Sequence, residues 1–391
     1  MKRVDIFMPP ISHYGVLPHF TVKLHEAMLR NGVKSRLLEA KRKDPGSFLK
    51  AIFSDPPDCT LSFNGLLPDD QGRFLADMIK IPHVACLVDY PYEYVTLTKS
   101  AYTIVTCVDK SGVDFFKQLG FHKAFFLPHA IEPGLMPDHT KKKEHDVVFL
   151  ASYIDFEGIR AGWKKKFPTK IRKAMEDAAE EAFSELDIPY YKAFVSALDR
   201  QMSKGPTIDT TKVDFIAVLQ ELELFIRGKD RYELVKAVKD AKVDLFGAGD
   251  DQASWKKAFS KQRNIVVHDP VPFEQALSIM KQSKIVLNSC PWIKEGGHER
   301  IFAGIACGAL VITNENRYLA EQFKDGESIV FYHPSRFEKA NHRINEYLSN
   351  DSKREHIVDK GREIVLGLHT WDRRVEQLVR ELPQYLKEMK K

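Results

Sequence analysis

Short apolar runs alternate with amphipathic stretches along almost the whole chain. From the N-terminus, "RVDIFMP" reads as a strand, "PHFTVKLHEAMLRNG" as a helix closed by Gly32, and "KSRLLEA" as the next strand. "CTLSFNG", "HVACLVD", "YTIVTCVD" and "KAFFLPHA" follow as further buried strands. Strands alternating with helices in this way predict parallel βαβ units and a doubly wound sheet. The polar stretch "PGLMPDHTKKK" (133–143) then predicts a hinge, and "HDVVFLASY" opens a second series. Its middle, from about 155 to 240, is helical in pattern, with segments such as "KIRKAMEDAAEEAFSEL" and "VDFIAVLQELELFIRG". The alternation resumes with "KVDLFGAGD", "NIVVHDPV", "FEQALSIMKQS", "KIVLNS", "ALVIT" and "SIVFYH", and closes on two terminal helices. The expected fold is α/β, two Rossmann-like doubly wound parallel-sheet domains facing across a cleft, with a helical insertion in the second. The first domain is expected over 1–140 and the second over 141–370.

Composition narrows the class. The 391 residues are 43% hydrophobic and 29% charged, as in an ordinary globular protein, and the length favours two cores. No run approaches the roughly eighteen apolar residues of a membrane helix, and "MKRVDIFMPP" is broken too soon for a signal peptide, so the expected location is cytoplasmic. The net charge of +5 comes from 59 basic and 54 acidic residues dispersed among each other, which argues against nucleic acid as a partner. Short basic runs such as Lys164–Lys166 leave a peripheral contact with phosphate or anionic lipid open. The five cysteines are scattered without ligand spacing, and no metal is expected.

The densest chemistry falls in "KIVLNSCPWIKEGGHERIFAGIACGALVITN" (284–314), a strand, loop, helix and strand. In a parallel unit the loop lies at the carboxyl edge of the sheet, where open α/β sheets bind ligands. Gly296 and Gly297 remove side chains where the backbone approaches something closely, and a helix starting near His298 offers its N–H groups and positive dipole end to phosphate. Arg300 adds a bidentate cation, and His298 donates to a diphosphate or protonates a leaving group. Glu295, ahead of the helix, is placed to meet ligand hydroxyls. The plainer reading is a Gly-Gly turn with His298 and Glu299 capping the helix. "LFGAGD" supplies Gly247 and Gly249 at a strand end, either lining a nucleotide or making a tight turn; the third glycine of a dinucleotide fingerprint is missing. His13, Tyr14 and Gly15 follow the first strand, Asp89 and Asp109 end later ones, and Ser152 takes the matching place in the second domain. A helix-capping role is the competing reading of both aspartates. No nucleophile elbow or HExxH occurs.

The order of "DVVFLASY", "RYELVKAVKDAKVDLFGAGD", "PFEQALSIMKQSKIVLNS", "ERIFAGIACGALVITN", "YLAEQFKDGESIVFY" and "LHTWDRRVEQLV" resembles group 1 glycosyltransferases of the GT-B fold, in their CgeB-like, spore-maturation-type branch. The resemblance implies sugar transfer from a nucleotide-diphosphate sugar to an unidentified acceptor, retaining and metal-independent. The donor would lie on the second domain, against Gly247, Gly249, Val271, Ser152 and Glu295 to Arg300, with the acceptor on the first, at His13, Tyr14 and Gly15. Glu295, His298 and Asp89 take the catalytic roles. It further implies that a helix over 371–391 crosses back to the first domain. The family pattern has a second glutamate eight positions after the first, commonly on the donor ribose; here that position is Ala303, so Glu299 would substitute or the chain would be a degenerate binder of a nucleotide-sugar or partner.

Overall fold

The computed structural model describes residues 1–9, 13–40, 44, 46–205, 208–247 and 250–389. The chain divides into two compact units, Met1–Gly134 with Leu366–Lys391, and Leu135–Val365.

The first unit holds a six-stranded parallel sheet of order β2-β1-β3-β4-β5-β6. Its strands are β1 (Arg3–Phe7), β2 (Lys34–Leu38), β3 (Cys59–Phe63), β4 (His83–Leu87), β5 (Thr103–Cys107) and β6 (Ala124–Phe126). The helices are α1 (Val16–Arg30), α2 (Ser47–Ser54), α3 (Leu75–Ile79) and α4 (Lys110–Gln118). β3, β4 and β5 are buried at every position, as strands covered on both faces must be. α1 begins at Val16, two residues before Pro18, because Tyr14 (φ 58°) and Gly15 (φ 73°) turn the chain in the left-handed region. Pro18 then sits in the first turn, where a missing N–H costs nothing.

The second unit begins with β7 (His145–Leu150), followed by the insertion helices α5 (Phe156–Lys166), α6 (Thr169–Ser184), α7 (Tyr190–Met202) and α8 (Phe215–Ala237). It continues through β8 (Val243–Phe246), α9 (Asp250–Ala258), β9 (Ile265–His268), α10 (Phe273–Lys281), β10 (Ser283–Asn288), α11 (Glu299–Ala306), β11 (Leu310–Asn314), α12 (Arg317–Ala320) and β12 (Val330–Tyr332). All strands are parallel, in the order β12-β11-β10-β7-β8-β9. Val147, Phe149, Leu245, Ile285, Leu287 and Ile312 form one contiguous core with Trp255. In the insertion, Ile171, Ala174, Met175, Ala178 and Ala182 line one side of α6 at helical spacing, and α7 packs against α6.

The chain ends in three helices, α13 (Glu338–Leu348), α14 (Asp351–Leu368) and α15 (Trp371–Glu388), where the pattern reads as two. The extra break falls at Asn350, whose Oδ1 accepts from the Lys353 amide at 2.9 Å; a cap of this kind interrupts a helix without disturbing its hydrophobic period. Trp371 of α15 is buried in the first unit, with ring centroids 5.3 Å from Phe20 and 5.9 Å from Phe63. Among the described residues, no helix is long and apolar enough to cross a membrane.

Candidate functional site

In the second sheet, β7 and β10 lie side by side, with Val148 opposite Val286 and Phe149 opposite Leu287. From β7 the order runs outward to β8 and β9, and from β10 it runs the other way to β11 and β12. This reversal opens a crevice at the carboxyl ends of the two central strands, the place where doubly wound sheets take ligands. Ser152 leaves β7 there, and the loop from Ser289 to His298 leaves β10.

Three buried asparagines set the path of that loop. Asn288 donates to Thr313 Oγ1 at 3.0 Å and accepts from Arg300 Nη1 at 3.3 Å. Asn314 Oδ1 takes the Cys290 amide at 2.9 Å. Asn316 Nδ2 donates to the carbonyls of Ile293 (2.9 Å) and Gly296 (3.0 Å), while its Oδ1 caps α12 through the Leu319 amide at 2.9 Å. Polar backbone in a buried loop needs such partners, and side-chain amides supply both donor and acceptor.

His298 is the N-cap of α11. Its Nδ1 lies 2.8 Å from Glu299 Oε2 and 3.3 Å from the Arg300 amide. One nitrogen cannot donate to the first and accept from the second at once. The shorter, charge-assisted contact governs: Nδ1–H donates to Glu299, and Nε2 is left with its lone pair when the ring is neutral. Burial pushes the His298 pKa down, against the pull of Glu299 and with the help of Arg300, so the neutral ring is favoured. The carboxylate of Glu299 thereby orients the ring. Glu295 is half-buried in the loop just before the helix.

The glycines serve packing more than the sequence suggests. A Cβ on Gly297 would stand 2.6 Å from the Phe302 ring and 3.3 Å from Leu319, so the close approach is to the protein's own side chains. Gly247 is filled in the same way by Trp255, at 2.8 Å, whose indole N–H donates to Ala151 O at 3.0 Å. Gly249 lies outside the described residues. Val271 is half-buried in the turn between β9 and α10. Ala303 is 1% exposed on the packed face of α11.

Further candidate residues come from α8, which the sequence reading treated as insertion. Arg231 is 6% exposed, donates to the Ser152 carbonyl at 2.9 Å and stands 5.8 Å from the Trp292 ring centre; Arg227 covers the same ring at 4.8 Å. Trp292 meets His298 edge-on at 6.5 Å, and the Arg231 charge acts on that histidine. Gly228 permits this arrangement, since a Cβ there would meet Ile154 O at 2.9 Å. Asp230, fully buried, accepts from Ser289 Oγ (2.6 Å) and Tyr332 OH (2.7 Å) and so ties α8 to both β10 and β12. The signal was present as two arginines one helical turn apart in "IRGKDRYEL". Lys294, by contrast, is spent structurally, donating to the carbonyls of Ala182 (2.7 Å) and Glu185 (2.8 Å) at the end of α6.

The first unit gathers its candidates separately. His13, Tyr14 and Gly15 form the turn into α1. Asn64, in the left-handed region at φ 58°, ends β3 and donates to Asp89 Oδ2 at 2.7 Å while accepting the Val88 amide at 3.0 Å. Asp109 is the N-cap of α4, accepting from the Ser111 amide at 2.7 Å.

Residues 230–380 match a family model described as glycosyl transferase-like. A search of curated protein sequences gives no match. Among solved structures, sucrose-phosphate synthase from Thermosynechococcus elongatus aligns over 99% of this chain and 100% of that one, with a TM-score of 0.58 at 9% identity. HepE from Anabaena, in complex with UDP and glucose, aligns over 98% and 100%, at 0.54 and 9%. A glycosyltransferase from Rickettsia africae aligns over 100% and 99%, at 0.51 and 11%. The likeness is one of fold: an α/β chain carrying two six-stranded parallel sheets, as in GT-B glycosyltransferase structures.

Proposed function

We propose that this protein is a glycosyltransferase that holds a nucleotide-diphosphate sugar on its second unit. The observation that carries the reading is the convergence, at the β7/β10 reversal, of the α11 N-terminus with Arg300, Arg231 and Arg227. Departure of a nucleoside diphosphate leaves negative charge on its oxygens, and fixed cations with a helix dipole stabilise that charge without reorganising. Neutral His298, oriented by Glu299, accepts or relays a proton through Nε2, and Glu295 meets the donor sugar. Gly296, Val271 and Ser152 border the donor, and Gly297 and Gly247 do so only through their backbones, since Phe302 and Trp255 fill the space beside them. On the acceptor side the first unit offers Asp89, held by Asn64, together with His13, Tyr14 and Gly15. Arg227 is paired with the buried Glu223 at 3.4 Å, which leaves the guanidinium groups of Arg300 and Arg231 with the helix end to meet a diphosphate; that charge supports metal-independent transfer, and the order of the sequence pieces supports the retaining, CgeB-like branch. HepE, a fold neighbour, was crystallised with UDP and glucose, which makes uridine sugars the first donors to try.

A panel of nucleotide-diphosphate sugars, assayed for nucleotide release with and without Arg300→Ala, tests the reading. One donor should turn over, and the variant should lose at least about a hundredfold in rate while its unfolding curve stays unchanged. No release from any donor, or equal release by the variant, would sink it. The second reading, a binder without transfer, is favoured by Ala303 at the expected ribose-binding position; stabilisation by a nucleoside diphosphate without any turnover would establish it.

A further inference from the structure

The insertion helices border an open cavity that shares none of the site residues above. It lies between α5, α6 and the first half of α8 and has a volume of about 690 Å³, within the range of small-molecule sites. Its floor is aromatic: Phe156, Trp163 and Phe225, with the Trp163 and Phe225 centroids 5.2 Å apart. Its rim is basic. Arg160, Lys164, Arg172 and Lys173 face Glu157 and Glu176, and one of those two acids is already taken, Glu176 binding Arg160 Nη2 at 3.0 Å and Nε at 3.2 Å. Lys164 and Lys173 form no hydrogen bond or ion pair among the described residues.

The charge of this rim points to an occupant. Arg172 Nη2 donates to Thr169 Oγ1 at 2.9 Å, and against Glu157 and Glu176 the four cations leave the rim with net positive charge. Oxyanions answer this condition, since their oxygens only accept and their charge is negative.

We propose that this cavity binds the phosphate group of a ligand other than the nucleotide-sugar, its oxygens meeting Lys164, Lys173 and Arg172 and its organic body resting on Phe156 and Phe225. The site shares no lining residue with the donor crevice and does not depend on the reading of that crevice. A soluble sugar or polyol phosphate and a phospholipid headgroup present the same chemistry.

The full chain carrying Arg300→Ala, which weakens phosphate binding at the donor crevice, is titrated with glycerol 3-phosphate by calorimetry and, separately, tested for flotation with phosphatidylglycerol vesicles. Saturable binding of glycerol 3-phosphate identifies a soluble ligand; association with vesicles alone identifies a lipid. Either response should fall at least about tenfold with Lys164→Glu and Lys173→Glu combined. Neither response occurring, or a response that survives the two lysine substitutions undiminished in a normally folded variant, overturns the proposal.

Discussion

Asp230 shows how much one side chain decides here. Burial pushes its carboxyl up to about 6, against the pull of the Ser289 and Tyr332 hydroxyls and the Lys294 and Arg231 charges. A raised carboxyl pKa means the group contributes most below the unfolded value near 4, and that contribution is lost as pH rises through 6. Two pH units correspond to about 3 kcal/mol. Ser289 and Tyr332 donate to the same oxygen, Oδ2, so Asp230→Asn keeps an acceptor for both and removes the titration; urea unfolding at pH 4.5 and 7 should then show a smaller difference for the variant than for the parent, and equal differences would refute this account. Asp230→Ala leaves two buried hydroxyls without an acceptor and should cost about 2–4 kcal/mol at pH 7. Burial and a neighbouring carboxylate likewise decide the state of His298, which the sequence could place at a helix start but not assign a tautomer.

Among the elements, the β10–α11 loop and α12 behave as one piece because Asn316 joins them. Asn316→Ala removes two bonds to loop carbonyls and the cap of α12, a loss of about 2–3 kcal/mol with the loop freed around Gly296. Since the residue touches no proposed ligand, the expected kinetic mark is a raised donor KM as well as lower stability. Unchanged KM in a destabilised variant would confine Asn316 to folding. The sequence marked this element clearly, because a strand, a glycine loop and an apolar helix leave local signals. What fills the space beside Gly297 and Gly247 was not legible in it, since the Phe302 and Trp255 rings are set there by tertiary packing. The terminal helices failed for a similar reason: the cap at Asn350 leaves the hydrophobic period intact.

For the whole molecule, two units with separate sheets imply separate responses to acid. Burial drives both His83 and His369 down to about 3, and both lie in the first unit, where His83 lies 2.9 Å from the hydroxyls of both Thr60 and Ser62. Each ring stays neutral in the folded unit while the unfolded chain takes up a proton below about 6.5. Stability is therefore lost as pH falls from 6.5 towards 3, at about 1.4 kcal/mol per pH unit for each. Hydrogen exchange at pH 5 should show opening in β3, β4 and β5 before β7 and β10. The opposite order would refute the assignment. Trp371 is the one tryptophan of the first unit, the other three lying between Leu135 and Val365, so its fluorescence reports that unit selectively.

By itself the sequence determined the alternation of buried strands and helices, the two parallel-sheet series and the place of the glycine loop between β10 and α11. Those are local properties: a strand covered on both faces has to be apolar along its length, and a helix start carries its own cap. The tertiary structure alone decided the membership of the site. Ser289 and Asp230 are 59 residues apart and Arg231 and Ser152 are 79 apart. They meet only because the strand order reverses between β7 and β10, and because α8 returns past the ends of both strands. Strand order is a property of the assembled sheet, since every arrangement that buries the same apolar runs has the same hydrophobic pattern.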